Sequence, residues 1–76
     1  MELINATFEE TTRATFTVEL DGGLVVDYTE FLNNKGKVID RQILSRDGTD
    51  MEGFLEEETI QKLEELADDY FKNNDM

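Results

Sequence analysis

The sequence contains no cysteine, no histidine and no proline. Without cysteine it can form neither a disulfide nor a thiolate metal site, and it suits a reducing compartment. Without histidine it lacks the usual general base and the commonest metal ligand. No apolar run approaches the roughly 20 residues that a membrane-spanning helix needs. The start of the chain lacks the basic-then-apolar layout of a signal peptide. The expectation is a cytoplasmic protein with no part in a membrane. Basic residues are scarce too: seven Lys and Arg stand against nineteen Asp and Glu, a net charge of −12 over 76 residues. Such a surface repels nucleic acid and anionic lipid and favours basic partners.

A chain of this length makes one domain, residues 1–76, and buries only about 60% of the surface it exposes when unfolded. Composition alone, 38% hydrophobic with that charge, leans towards disorder. The patterning does not, because a disordered chain has no reason to alternate. The charge is also uneven. Residues 1–32 carry seven acids and one base, residues 33–49 four bases and two acids, and residues 50–76 ten acids and two bases. One short basic stretch, with Lys35, Lys37, Arg41 and Arg46, lies between two acidic ones.

The first half reads as strands, at about 2–8, 13–20, 24–32 and 37–45. Ile4, Ala6 and Phe8 alternate with polar residues, and Ala14, Phe16, Val18 and Leu20 do so over a β-branched run. The polar segment between them, Glu9–Arg13, suits a turn. A three-residue loop at Asp21-Gly22-Gly23 pairs Leu20 with Leu24, Val18 with Val26 and Phe16 with Tyr28, which keeps one face apolar. That implies a type I turn with a bulge and a left-handed Gly. The same logic at Asn34-Lys35-Gly36 pairs Leu32 with Val38 and Val26 with Leu44. It leaves Asp40 and Gln42 on the inward side, and Val25, Phe31, Ile39 and Ile43 on the reverse face.

A C-terminal helix is expected at about 56–72, ending at Asn73–Asp75, with Phe54 or Leu55 stapled to its first turn. Its apolar residues Ile60, Leu63, Leu66, Ala67, Tyr70 and Phe71 fall within an arc of about 140°. The fold class is therefore α+β: a four-stranded antiparallel β-meander with one amphipathic helix packed on one face. A single helix cannot cover both faces of the sheet. The reverse patch of Val25, Phe31, Ile39 and Ile43 is a candidate dimer or partner face.

The chemistry of sites is mostly excluded. Paired-acid catalysis needs two carboxylates across a cleft, one of them in an apolar pocket, and these acids lie on a solvated helix face. Asp47 to Glu58 has the length of a calcium loop, but Met51 and Glu52 occupy positions that need an oxygen ligand and a Gly. No catalytic residue, cofactor or metal is expected, and no direct nucleic-acid contact.

What remains is the acidic helix face: Glu57, Glu58, Glu64, Glu65, Asp68 and Asp69. Acids in the first turn complement the helix dipole. Further along, Glu64–Asp68 and Glu65–Asp69 are like-charge i,i+4 pairs, and Asp68 and Asp69 oppose the dipole near the helix end. Each conflict costs a few tenths of a kcal/mol. Local rules broken without local gain are where function is expected. Glu57, Glu64 and Asp68 form one row and Glu58, Glu65 and Asp69 another, with steps of about 10.5 Å and 6 Å, a scale comparable with backbone phosphates. In size, acidity and lack of Cys, His and Pro the chain resembles phage-encoded inhibitors as a type, a likeness of composition that covers no motif. The expected function is a non-enzymatic acidic protein that occupies a basic protein surface, as a nucleic-acid mimic blocking a nucleic-acid-binding protein. The alternative is a structural or assembly subunit that homodimerises through the uncovered sheet face.

Overall fold

The alternating runs and the glycine turns between them produce four strands and one helix. The computed structural model describes residues 1–9 and 12–74. Strands β1 (Glu2–Glu9), β2 (Arg13–Glu19), β3 (Val25–Leu32) and β4 (Val38–Ser45) form one antiparallel sheet in the order β1-β2-β3-β4, followed by helix α1 (Glu57–Asn74). This is the expected α+β meander. Glu10 and Thr11, within the expected first turn, and Asp75 and Met76 at the chain end lie outside the described residues.

The central pair has the expected register, with Val18 opposite Val26 and Phe16 opposite Tyr28. Leu20 donates its N–H to the Leu24 carbonyl at 2.7 Å. The turn itself differs from expectation. Gly22 and Gly23 have φ of +96° and +95°, and Gly22 is the third residue of the turn closed by the Gly23 N–H to the Leu20 carbonyl. A type I turn has negative φ at that position, whereas types II and I′ require positive φ. Two glycines are therefore needed where one was expected. Gly22→Ala and Gly23→Ala are each expected to destabilise the fold by about 1–2 kcal/mol, since a side chain resists left-handed backbone. No atom outside the turn crowds either position, so no clash contributes to the change that thermal melts of the two variants read.

Both edge strands carry one residue more than the strand they pair with. In β1 the register shifts between Leu3 and Asn5, and in β4 the step from Val38 to Asp40 spans a single step of β3, from Leu32 to Phe31. The extra residues, Ile4 and Ile39, are 54% and 65% exposed. Each bulge turns the strand over. In β1, Leu3 replaces Ile4 on the core side. In β4, Val26 lies opposite Ser45 rather than Leu44, and Tyr28 lies opposite Ile43. Ile43 is consequently buried in the core and does not belong to the reverse face. The gain is plain: without the bulge, Asp40 and Gln42 would point at the helix.

After β4, the Asp47-Gly48 turn folds the chain back so that Leu44 bridges Asp50 and the Met51 N–H reaches the Ile43 carbonyl at 2.8 Å. This return covers part of the free edge of β4. The core combines Ala14, Phe16, Val18, Leu20, Val26, Tyr28 and Ile43 of the sheet side with Ile60, Leu63 and Ala67 of α1. Leu55 and Ile60 occupy the two staple positions flanking Glu56, whose carbonyl accepts the Ile60 N–H at 3.1 Å; Leu55 packs on the core. Phe54 stays exposed.

Candidate functional site

The two acidic rows of α1 have different surroundings. In one row Glu64 and Asp68 look across to β4, while Glu57 is exposed at the helix start. In the other row Glu58, Glu65 and Asp69 are all exposed. Glu58 reaches Lys62 at 3.7 Å. Glu57, Glu65, Asp68 and Asp69 make no ion pair among the described residues. Glu64 is only half-exposed: the Arg41 guanidinium donates to it and, at 2.8 Å, to Glu52. The β4 bulge places Arg41 there, so one inward arginine ties together the strand, the connecting segment and the helix.

Between β4 and the C-terminal half of α1 lies an open recess of about 570 Å³. Five carboxylates line it (Glu30, Asp40, Glu52, Glu64 and Asp68) against the single guanidinium of Arg41. Glu30, Val38 and Asp68 also border a second recess of about 960 Å³, whose walls include Phe8, Tyr70, Phe71, Lys35 and Lys72. Three of those walls belong to a ring cluster at this end of the molecule: Phe8 stacks on Tyr70 at 5.6 Å, and Phe16 meets Phe71 edge-on at 5.8 Å.

Glu30 is the unexpected member of the site. It follows Val26 and Tyr28 on the inward side of β3 and is only 3% exposed. One carboxylate oxygen accepts the Tyr28 hydroxyl at 2.8 Å. The other, Oε1, is buried without a hydrogen-bond partner. Arg41 is its cross-strand neighbour, yet that guanidinium is taken up by Glu52 and Glu64. Burial raises the pKa of Glu30 and the Asp68 charge adds to it, while the Tyr28 hydrogen bond and Arg41 act the other way. Burial and the bond to Glu30 likewise push the Tyr28 hydroxyl up. The strand parity that places Phe16 and Tyr28 inward also places Glu30 inward, so its position was available in the sequence; its lack of a partner was not.

A pH dependence follows. The folded-state pKa of Glu30 lies above its ordinary value of 4.5, so its charged form opposes folding. Below that value the carboxyl is protonated in both states and costs nothing. As pH rises through the raised folded value the cost develops in full. Glu30→Gln keeps an acceptor for Tyr28 and removes the charge. The variant is expected to melt above the parent at pH 7, with the difference shrinking towards zero as pH falls below 4.5. Paired thermal melts across this range check it, and a pH-independent difference would contradict it.

The reverse sheet face differs from its expected apolar patch, with Leu44 in the place of Ile43. Val25 and Phe31 are half-buried there, Ile39 stands at the bulge, and Ile43 lies on the other side of the sheet. Between them run the cross-strand bonds Thr15–Thr29 at 3.0 Å and Thr17–Asp27 at 2.7 Å, with Arg46 reaching Asp27 at 3.5 Å. Among the described residues no group of three or more His, Cys, Asp or Glu is placed to hold a metal ion, and no helix is long and apolar enough to cross a membrane. Compared with protein-family models, curated proteins and solved structures, the chain matches none.

Proposed function

We propose that this chain is a non-enzymatic binding protein whose acidic helix face docks onto a basic protein surface, of the kind that holds nucleic acid. The observation that carries the reading is the outward row Glu58, Glu65 and Asp69. These carboxylates are exposed, and Glu65 and Asp69 repel one another with no ion pair among the described residues to relieve them. The fold gains nothing from that placement, since the dipole at this end of α1 favours cations. A basic partner gains fixed negative charge on a rigid helix, spaced on the scale of backbone phosphates.

The test is capture from a cell lysate on immobilised protein, with the parent and the variant E58Q/E65Q/D69N side by side. Glu64 is left intact because it holds Arg41. The expected outcome is that nucleic-acid-binding proteins are captured at low salt, released at high salt and displaced by duplex DNA. The variant should capture them about tenfold less, with a flatter salt dependence. Its melting temperature should stay close to the parent value, since exposed charges are exchanged for shape-matched amides. Capture that resists salt and survives the triple substitution would sink the reading.

A further inference from the structure

We propose that the recess between β4 and α1 is a seat for one arginine side chain of that partner, held between Glu30 and Asp68. The proposal rests on the acidic-face reading and adds a specific contact to it. Two independent observations converge on the same spot. The first is the unmatched charge of the recess, where five carboxylates face one guanidinium. Arg41 is already committed to Glu52 and Glu64, and Asp40 accepts the backbone N–H of Arg41 at 2.8 Å. Glu30 and Asp68 remain. The second is the state of Glu30 itself, a buried carboxylate that borders the recess with Oε1 unpaired. Such a group costs stability until a donor reaches it, and because Oε1 is shielded from solvent the incoming side chain must part the recess wall to do so.

An organic cation suits two carboxylates better than a metal ion, since among the described residues no group of three or more His, Cys, Asp or Glu is placed to hold one. A guanidinium suits the site better than an ammonium. It carries five donors in a planar fork, enough to serve Glu30 and Asp68 together, and it is more weakly hydrated and so cheaper to bring beside a buried group. Arg41 is the precedent, with one guanidinium bridging Glu52 on the connection and Glu64 on the helix in the same recess. The chain's own bases do not supply a second. Arg13, Arg46 and Lys62 pair elsewhere; Lys35 and Lys72 border the second recess, which Glu30 and Asp68 also line, but among the described residues neither they nor Lys37 makes an ion pair with Glu30 or Asp68. Val38 and Ile39 give the stem an apolar wall.

Binding an arginine there stabilises the ionised form of Glu30, so affinity should rise with pH through the titration of this carboxyl. The groups facing it are Tyr28 on its own strand, Arg41 on β4 and Asp68 on α1. The Tyr28 hydroxyl, pushed up by burial and by its bond to Glu30, stays protonated throughout the acid range.

The experiment uses the intact protein and three peptides, acetyl-Gly-Ser-Xaa-Ser-Gly-amide with arginine, lysine or citrulline at the centre. NMR follows the side-chain carboxyl of Glu30 and the amides of Ile39 and Arg41. The arginine peptide should give saturable shifts of these signals at millimolar concentration and bind at least about tenfold more tightly than its neutral citrulline counterpart. Glu30→Gln and Asp68→Asn should each weaken it about tenfold; Asp68 is exposed, so its variant carries no risk to the fold. Equal binding of citrulline, or parent-like binding by both variants, overturns the seat. Equal binding of lysine overturns the choice of arginine, and magnesium or calcium displacing the peptide one for one would make it a metal site instead. The two proposals fail separately. If E58Q/E65Q/D69N loses lysate capture while E30Q retains it, the acidic face stands and the arginine seat falls; if neither variant loses capture, both fall.

Discussion

Leu63→Ala is expected to remove a large share of the stability of this protein. Leu63 is fully buried, on the same side of the sheet as Phe16, Val18, Val26 and Ile43. Truncating a buried leucine costs about 2–5 kcal/mol, from lost transfer energy and the cavity left behind. A domain of this size holds roughly 4–11 kcal/mol in all. The melting temperature should therefore fall by about 8 °C or more, at about 4–8 °C per kcal/mol. A loss at the top of that range exceeds the low end of the total, and a parent of that stability would be left unfolded at room temperature. There is little reserve to absorb the loss, since without cysteine no disulfide ties the chain together. Leu24→Ala is the matched control: the same chemistry at an exposed position should shift stability by about 0.5 kcal/mol or less. If the two variants melt alike, the helix is not seated on this face of the sheet.

That the helix covers this face was legible because two periodicities agree. The period of two in residues 14–20 and the 3.6-residue period of the C-terminal run each define one apolar surface, and one sheet face against one helix stripe leaves a single solution. The β2–β3 register was legible for the same reason: only a three-residue loop keeps Leu20, Val18 and Phe16 facing apolar partners. The turn type was not, because loop length fixes register but not the sign of φ at each residue, and Gly22 accommodates either.

The bulges escaped the sequence reading for a definite reason. In β4 the hydrophobic residues come as two adjacent pairs, Val38-Ile39 and Ile43-Leu44. Such doublets fit either face, so alternation cannot choose between them. What decides is the pair of polar residues between. The unbulged register turns Asp40 and Gln42 inward without partners, whereas the bulged one turns in Arg41, which meets Glu52 and Glu64. Those partners lie 11 and 23 residues away in sequence, beyond the reach of a local pattern. The candidate site divides the same way. The exposed acids Glu58, Glu65 and Asp69 could be read from helical geometry, because the one ion pair among them, Glu58 with Lys62, lies within the same helix. Glu64 could not, since its environment is made by Arg41, and the significance of Glu30 depends on which neighbours are already occupied.

The bulge makes the sharpest test of this architecture, since it reverses which isoleucine matters. With Ile39 as the extra residue, Ile43→Ala opens a cavity beside Tyr28 and should cost about 2–5 kcal/mol. Ile39→Ala removes a side chain that is 65% exposed and should cost about 0.5 kcal/mol or less. Leu44→Ala should fall between them, because Leu44 is half-buried on the opposite face. An unbulged strand predicts another order, with Leu44 the costly position and Ile39 and Ile43 equally cheap. Urea unfolding of the three variants separates the two cases without ambiguity from unfolded-state effects, since each loses aliphatic surface to the same alanine. Should Leu44→Ala prove worse than Ile43→Ala, β4 is turned over, Arg41 leaves the helix side, and the recess beside Glu30 loses its β4 wall. The order Ile43, Leu44, Ile39 is therefore a condition for the arginine seat as well as for the fold.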